Sequence, residues 1–104
     1  MSDIVYKGTT PTHSFTLPFD AIDADVIWMT YSQKGREFFT FNKEDLTLNG
    51  KEVSVRLTQE HTLMFFAGEE LKIQIRALRG VDAICSDEVF LRVKGILKDG
   101  VIGG

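Results

Sequence analysis

The stretch LTLNGKEVSVRLT, Leu46 to Thr58, alternates apolar and polar residues on both sides of an Asn-Gly pair. Val53, Val55 and Leu57 oppose Glu52, Ser54 and Arg56, and a period of two is the spacing of a strand with one wet face. Asn49-Gly50 is the strongest short hairpin signal, because a type I′ turn needs positive φ at both central residues. A two-residue loop there pairs Leu48 with Lys51 and Leu46 with Val53. That register gathers Leu46, Leu48, Val53, Val55 and Leu57 on one face, so turn chemistry and hydrophobic pattern specify the same hairpin.

The same period recurs on either side. In LKIQIRAL, Leu71, Ile73, Ile75 and Ala77 oppose Lys72, Gln74 and Arg76; in EVFLRVK, Val89, Leu91 and Val93 oppose Glu88, Arg92 and Lys94. The reversal RGVDA joins the first of these to a long strand predicted from Ala83 to Lys94. Keeping Ile75 and Val89 on one face also turns Asp87 inward, which predicts a bulge near Ser86-Asp87. Towards the N-terminus, IVYK and THSFTL read as short strands separated by GTTP. Pro11 and Pro18 bracket the second, as suits an edge strand with few ladder donors to lose. NKEDL reads as one helical turn with Asn42 as its cap and Asp45 three residues on.

SQKGREFF, Ser32 to Phe39, offers another hairpin about Lys34-Gly35. A regular two-residue loop pairs Trp28 with Phe41 and Tyr31 with Phe38. Assigning Val26, Trp28, Phe39 and Phe41 to the core leaves Ile27, Met29, Tyr31 and Phe38 on the opposite face. On this reading Trp28→Ala costs about 3–5 kcal/mol. LTQEHTLMFFAGEE follows as a corner between strands: Thr58 caps, Glu60 suits the first turn, and Gly68 ends the segment. Glu60 and His61 are neighbours on that corner and point in different directions.

Short strands with turns every few residues predict one all-β domain spanning 1–104. The expected fold is an immunoglobulin-like antiparallel β-sandwich of seven or eight strands with one or two short helical turns, and 95–104 as a loose tail. The composition allows it: 43% hydrophobic and 26% charged residues suffice for a core without staples. The lone cysteine, Cys85, excludes an internal disulfide and reads as a small core residue. The opening MSDIVYKGTT has no basic head followed by an apolar run, so no secretory signal is expected. Apolar runs fall far short of a membrane span. The net charge is −3, with five basic and eight acidic residues in 1–52 and seven of each in 53–104. With no basic stripe and no aromatics interleaved with Lys and Arg, nucleic acid is not an expected partner.

Little in the sequence points to chemistry. A hydrolytic triad needs a nucleophile, a histidine and an orienting carboxylate converging in space. His13 and Ser14 are adjacent on a strand and face opposite ways, and no serine is tied to His61. Cys85, His13 and His61 lack metal-ligand spacing. Gly8, Gly35, Gly50, Gly68 and Gly80 are isolated turn glycines, not a phosphate cradle. No cofactor and no metal is expected. The interesting surface is apolar: Ile27, Met29, Tyr31 and Phe38, with Phe90 opposite the inward Val89 and Leu91, form the candidate protein-contact patch. Coverage by the N-terminal segment or a loop is the competing reading of that face.

At KGTTPTHSFTLPF, LTQEHTLMFF and GILKDGVI the chain resembles small prophage-encoded proteins of Gram-positive bacteria, which share a GTTPT-F opening, a LTQE-T corner and a KDGVI-like end. It is also similar to the immunoglobulin-like N-terminal domain of phage baseplate upper proteins. The resemblance implies a virion- or tail-associated structural or assembly module acting by protein–protein contact, without catalytic residues. Its partners would be other virion or tail proteins, or further copies of itself. Its place would be the bacterial cytoplasm during assembly and then the particle. The alternative expectation is a module that holds a carbohydrate or small ligand on the aromatic patch.

Overall fold

Alternation with one wet face requires a second layer to cover the dry one, and the chain supplies it. The computed structural model describes residues 4–86 and 88–103. In chain order the strands are β1 (Ile4–Tyr6), β2 (Thr12–Thr16), β3 (Val26–Gln33), β4 (Arg36–Asn42), β5 (Thr47–Asn49), β6 (Glu52–Arg56), β7 (Glu70–Arg79), β8 (Asp82–Cys85) and β9 (Val89–Lys94). One helix, α1 (Gln59–Leu63), and 3₁₀ turns at Ala21–Asp23 and Lys43–Asp45 complete the described elements. Six strands form one sheet in the order β1-β9-β7-β3-β4, with β8 also on β7; β2-β6-β5 form the other. All pairs are antiparallel except β1 with β9. This is an all-β sandwich with the immunoglobulin-like arrangement of strands.

Nine strands replace the expected seven or eight, partly because the strand predicted from Ala83 to Lys94 is interrupted. Arg76 pairs with Cys85 and Ile73 with Val89, so three steps along β7 meet four along its partner. Ser86 bridges the break: its N–H donates to the Ile75 carbonyl at 2.9 Å, and its Oγ accepts from the Ile75 N–H at 3.0 Å. Asp87, the other residue of the expected bulge, lies outside the described residues. β2 is an edge strand, as its flanking prolines require.

The β5–β6 hairpin forms with a shifted loop. Asn49 pairs with Glu52 and Leu48 with Val53, so the two loop residues are Gly50 and Lys51. Positive φ occurs at Gly50, at 58°, and at neither neighbour, the pattern of a type II′ turn. The expected pairs Leu48–Lys51 and Leu46–Val53 are therefore wrong by two positions. A slip of two preserves side-chain parity, and Val53, Val55 and Leu57 are all buried.

The β3–β4 hairpin errs the other way. Its loop is Lys34-Gly35, with φ of 55° and 73°, and Gln33 pairs with Arg36. Two residues later the register breaks: Ser32 pairs with Glu37 but Tyr31 pairs with Phe39, leaving Phe38 as a bulge. Beyond it Met29 meets Phe41 and Trp28 meets Asn42, which overturns the expected pairs Trp28–Phe41 and Tyr31–Phe38. The other neighbour, β7, sets which face is inner, pairing Tyr31 with Ile73, Met29 with Ile75 and Ile27 with Ala77. Ile27, Met29 and Tyr31 are consequently fully buried. Trp28 sits over Arg76 on the outer face, 44% exposed, with Val26 beside it. Phe39 and Phe41 stay on the core side, as expected.

The core lies between the sheets, and each fully buried aliphatic or aromatic side chain in it contributes roughly 1.5–3 kcal/mol. Tyr31 is at its centre, in ring contact with Phe39, Phe41 and Phe65 at centroid distances of 5.1, 5.8 and 6.2 Å. Gln33 is buried too and saturates its amide: Nε2 donates to the carbonyls of Phe66 and Glu69, while Oε1 accepts from the Phe66 N–H at 2.7 Å. That amide fixes the path between α1 and β7. Asp45 accepts from the Asn42 N–H at 2.9 Å, which makes NKEDL the capped turn that its sequence predicts.

Candidate functional site

The Glu60-His61 pair forms a corner, not a reactive centre. Thr58 Oγ1 accepts from the His61 N–H at 3.2 Å, and His61 Nδ1 accepts from the Thr58 N–H at 3.0 Å. This is a capping box in which imidazole takes the place of the usual glutamate. The His61 ring packs on Phe39 and Phe41 at 4.9 and 5.3 Å, whereas Glu60 is exposed. His13 is engaged elsewhere, with Nδ1 2.6 Å from the Tyr31 hydroxyl. Burial lowers the His13 pKa and raises that of Tyr31, so both groups are held neutral and share one hydrogen bond. The pair ties β2 of one sheet to β3 of the other. Among the described residues no group of three or more His, Cys, Asp or Glu could hold a metal ion.

The GTTPT opening, the LTQE-T corner and the KDGVI end converge at one end of the molecule. Thr62 Oγ1 of the LTQE-T corner donates to the Thr9 carbonyl of the GTTPT opening at 2.8 Å. The Leu57 N–H donates to the Pro11 carbonyl, and Arg56 Nη2 to Thr10 Oγ1. From the KDGVI end, Ile102 offers both backbone groups to the Gln59 amide: its N–H donates to Oε1 at 2.8 Å and its carbonyl accepts from Nε2 at 3.2 Å. A polar side chain that satisfies neighbouring backbone groups is architecture. These motifs hold the corner together.

The contact patch read from the sequence is dispersed. Ile27, Met29 and Tyr31 are core residues, because the Phe38 bulge and the β7 register turn them inward. Phe38 is partly buried, stacked on Phe65 at 6.0 Å and edge-on to Phe66 at 5.7 Å. Phe90 alone of the five stands out, 48% exposed on the outer face of the large sheet. Cys85, expected inside, is exposed on that face opposite Arg76.

What the sequence reading missed is this outer face itself. No layer covers it among the described residues. Trp28 stands near its middle, with the Arg76 guanidinium 5.5 Å from the ring. On one side of the indole is an apolar groove of about 210 Å³, lined by Val26, Leu78, Ala83 and Ile84. On the other is a polar depression of about 400 Å³ formed with Thr30, Glu37, Thr40, Asn42 and Arg76. There Thr40 donates to Glu37 at 2.7 Å and lies 2.9 Å from the Thr30 hydroxyl. Lys72 approaches the Phe90 ring at 5.6 Å, so aromatic and basic side chains do alternate across strands, a pattern invisible along the chain. The signal available in sequence was Trp28 itself, once the adjacent strand fixes its parity.

No protein-family model matches the chain, and no curated protein shows significant similarity to it.

Proposed function

We propose that this chain is a non-enzymatic binding module whose outer sheet face makes protein–protein contacts, as a structural or assembly component of a phage tail or baseplate. The observation that carries the reading is the half-exposed Trp28 with Arg76 stacked beside it on an uncovered sheet. Tryptophan and arginine are the residue types that dominate interface energetics, and both lie near the middle of the face. Both histidines serve the fold, which leaves a contact role as the economical use of this surface. The particle assignment rests on the resemblance at GTTPT, LTQE and KDGVI, and with it the bacterial cytoplasm as the place of assembly.

The test is incorporation. Mass spectrometry of purified particles from an induced lysogen encoding the chain should detect it, and a folded Trp28→Lys variant should be lost from them. Particles that lack the wild-type chain altogether would sink the assignment.

A saccharide ligand is the second reading, favoured by the hydroxyl and carboxylate groups aligned next to the indole. Titration with oligosaccharides should then quench Trp28 fluorescence saturably, and Glu37→Gln should abolish the response. Flat titrations across neutral and acidic sugars would remove this reading.

A further inference from the structure

Resting on the saccharide reading of the polar depression beside Trp28, we infer that its ligand is an uncharged pyranoside whose hydroxyls donate to Glu37 and Thr30 and accept from Arg76. The Phe38 bulge builds the site. Thr30 and Ser32 are two apart on β3 and share the outer face; Thr40 lies opposite the first and Glu37 opposite the second. In a regular strand residues three apart, such as Glu37 and Thr40, face opposite sides. The extra residue between them lets both point outward, and Thr40 Oγ1 donates to Glu37 Oε2 at 2.7 Å. The bulge makes neighbours of two polar side chains that a straight strand of the same length would separate.

Counting protons gives the depression a direction. A hydroxyl carries one hydrogen and a carboxylate none. Thr40 spends its hydrogen on Glu37, so the 2.9 Å contact between Thr40 and Thr30 is filled by the hydrogen of Thr30. Both hydroxyl hydrogens are then used, and Thr30 Oγ1 and Glu37 Oε1 present lone pairs alone. Arg76, beside Trp28 on β7, is the reverse, because a guanidinium has N–H donors and no acceptor. A group facing Thr30 and Glu37 must bring a hydrogen, and a group facing Arg76 must bring a lone pair. A sugar hydroxyl does either, and the C–H face of a pyranose can lie on the half-exposed indole.

Charge selects among the saccharides. Glu37 and Arg76 both line the depression, and the ion pair found among the described residues is Lys34–Glu69, so these two do not neutralise each other by contact. Their charges sum to zero. An acidic sugar drawn to Arg76 shares the depression with the Glu37 carboxylate, and an amino sugar drawn to Glu37 shares it with Arg76. A volume of about 400 Å³ lies towards the lower end of the roughly 300–1,000 Å³ of small-molecule sites, which suits one sugar residue.

The chain has one tryptophan, so indole fluorescence reports on this site alone. Of the methyl α-glycosides of glucose, galactose and mannose, titrated to about 100 mM, at least one should quench it saturably with a millimolar Kd. The matching uronic acid and amino sugar should bind at least about tenfold more weakly. Mono-O-methyl ethers of the best ligand test the division of roles, since methylation removes a hydroxyl hydrogen and leaves the lone pairs. At least one ether should fail to bind and at least one should bind as the parent does; uniform loss or uniform tolerance overturns the inference. Thr40→Val breaks the chain of hydroxyls and should weaken binding at least about tenfold with unchanged circular dichroism, whereas Thr40→Ser should bind as wild type. Saturable binding of the acidic or amino sugar without its neutral parent overturns the inference and leaves the saccharide reading standing. Flat titrations with all of them remove both.

Discussion

The two tight hairpins of this molecule slip from their simplest register by different amounts, and the difference decides what each strand shows to solvent. At β5–β6 the loop moves from Asn49-Gly50 to Gly50-Lys51, a displacement of two in pairing, and every side chain keeps its face. At β3–β4 the loop stays at Lys34-Gly35, but Phe38 enters as one extra residue and the pairing beyond it moves by one. Strands have a period of two, so an even slip is silent while an odd one reverses the relation between partners. A correct turn thus led to the wrong face, and an incorrect turn to the right one.

The most severe way to break the comparison is Tyr31→Ala, expected to cost about 3–5 kcal/mol in urea unfolding because the ring is fully buried among Phe39, Phe41 and Phe65. Deleting Phe38 comes next. Glu37 then runs straight into Phe39, so the pairs Ser32–Glu37 and Tyr31–Phe39 survive as a regular ladder and Phe39 and Phe41 keep their face. The loss is that of one partly buried ring, at most about 3 kcal/mol. A deletion that costs more than Tyr31→Ala would show that the bulge itself holds Phe39 and Phe41 on the core. Trp28→Ala, at a site otherwise open to water, should stay within about 0.5 kcal/mol of wild type. Equal losses at Tyr31 and Trp28 would mean that both faces of β3 are covered.

These contrasts also mark what could be read from the chain. The strands β6, β7 and β9, the edge position of β2, the capped turn at Lys43–Asp45 and the corner at α1 all follow from period, proline placement and capping residues, which are local. The sandwich follows from them in turn. The face of β3 does not: Ile27, Trp28, Met29 and Tyr31 are apolar at successive odd and even positions, so alternation is silent there. Parity came instead from Ile73 and Ile75, some forty residues later in the chain. The candidate surface was misplaced for that single reason. Of its residues Phe90 was legible, because Val89, Leu91 and Val93 fix the parity of β9 from within.

The β5–β6 turn can be sharpened in the same way. In a type I′ turn at Asn49-Gly50 both residues have positive φ; in the observed turn only Gly50 does. Gly50→Ala should therefore cost about 1–2 kcal/mol, although an added Cβ would meet nothing within contact distance. Asn49→Ala should be close to neutral. Thermal unfolding of the two variants separates the turns, since comparable losses at both positions would restore the I′ assignment.

The smallest expected effect lies where the sheets of the two hairpins are joined. His13, opposite Val55 in the β5–β6 sheet, shares a hydrogen bond with the Tyr31 hydroxyl in the β3–β4 sheet. Burial holds its pKa below the ordinary 6.5, so the unfolded chain binds a proton before the folded one does. Stability from this group is complete above about pH 6.5 and falls as the pH drops from there through the lowered folded value, below which it levels off. His13→Phe keeps the ring and removes the titration, so its stability should vary less than wild type between about pH 7 and 5, while losing the link to Tyr31 at neutral pH. If the two proteins instead show parallel pH profiles, the His13 ring is hydrated in the folded state, and Tyr31 reaches the core without needing a partner for its hydroxyl on the opposite sheet.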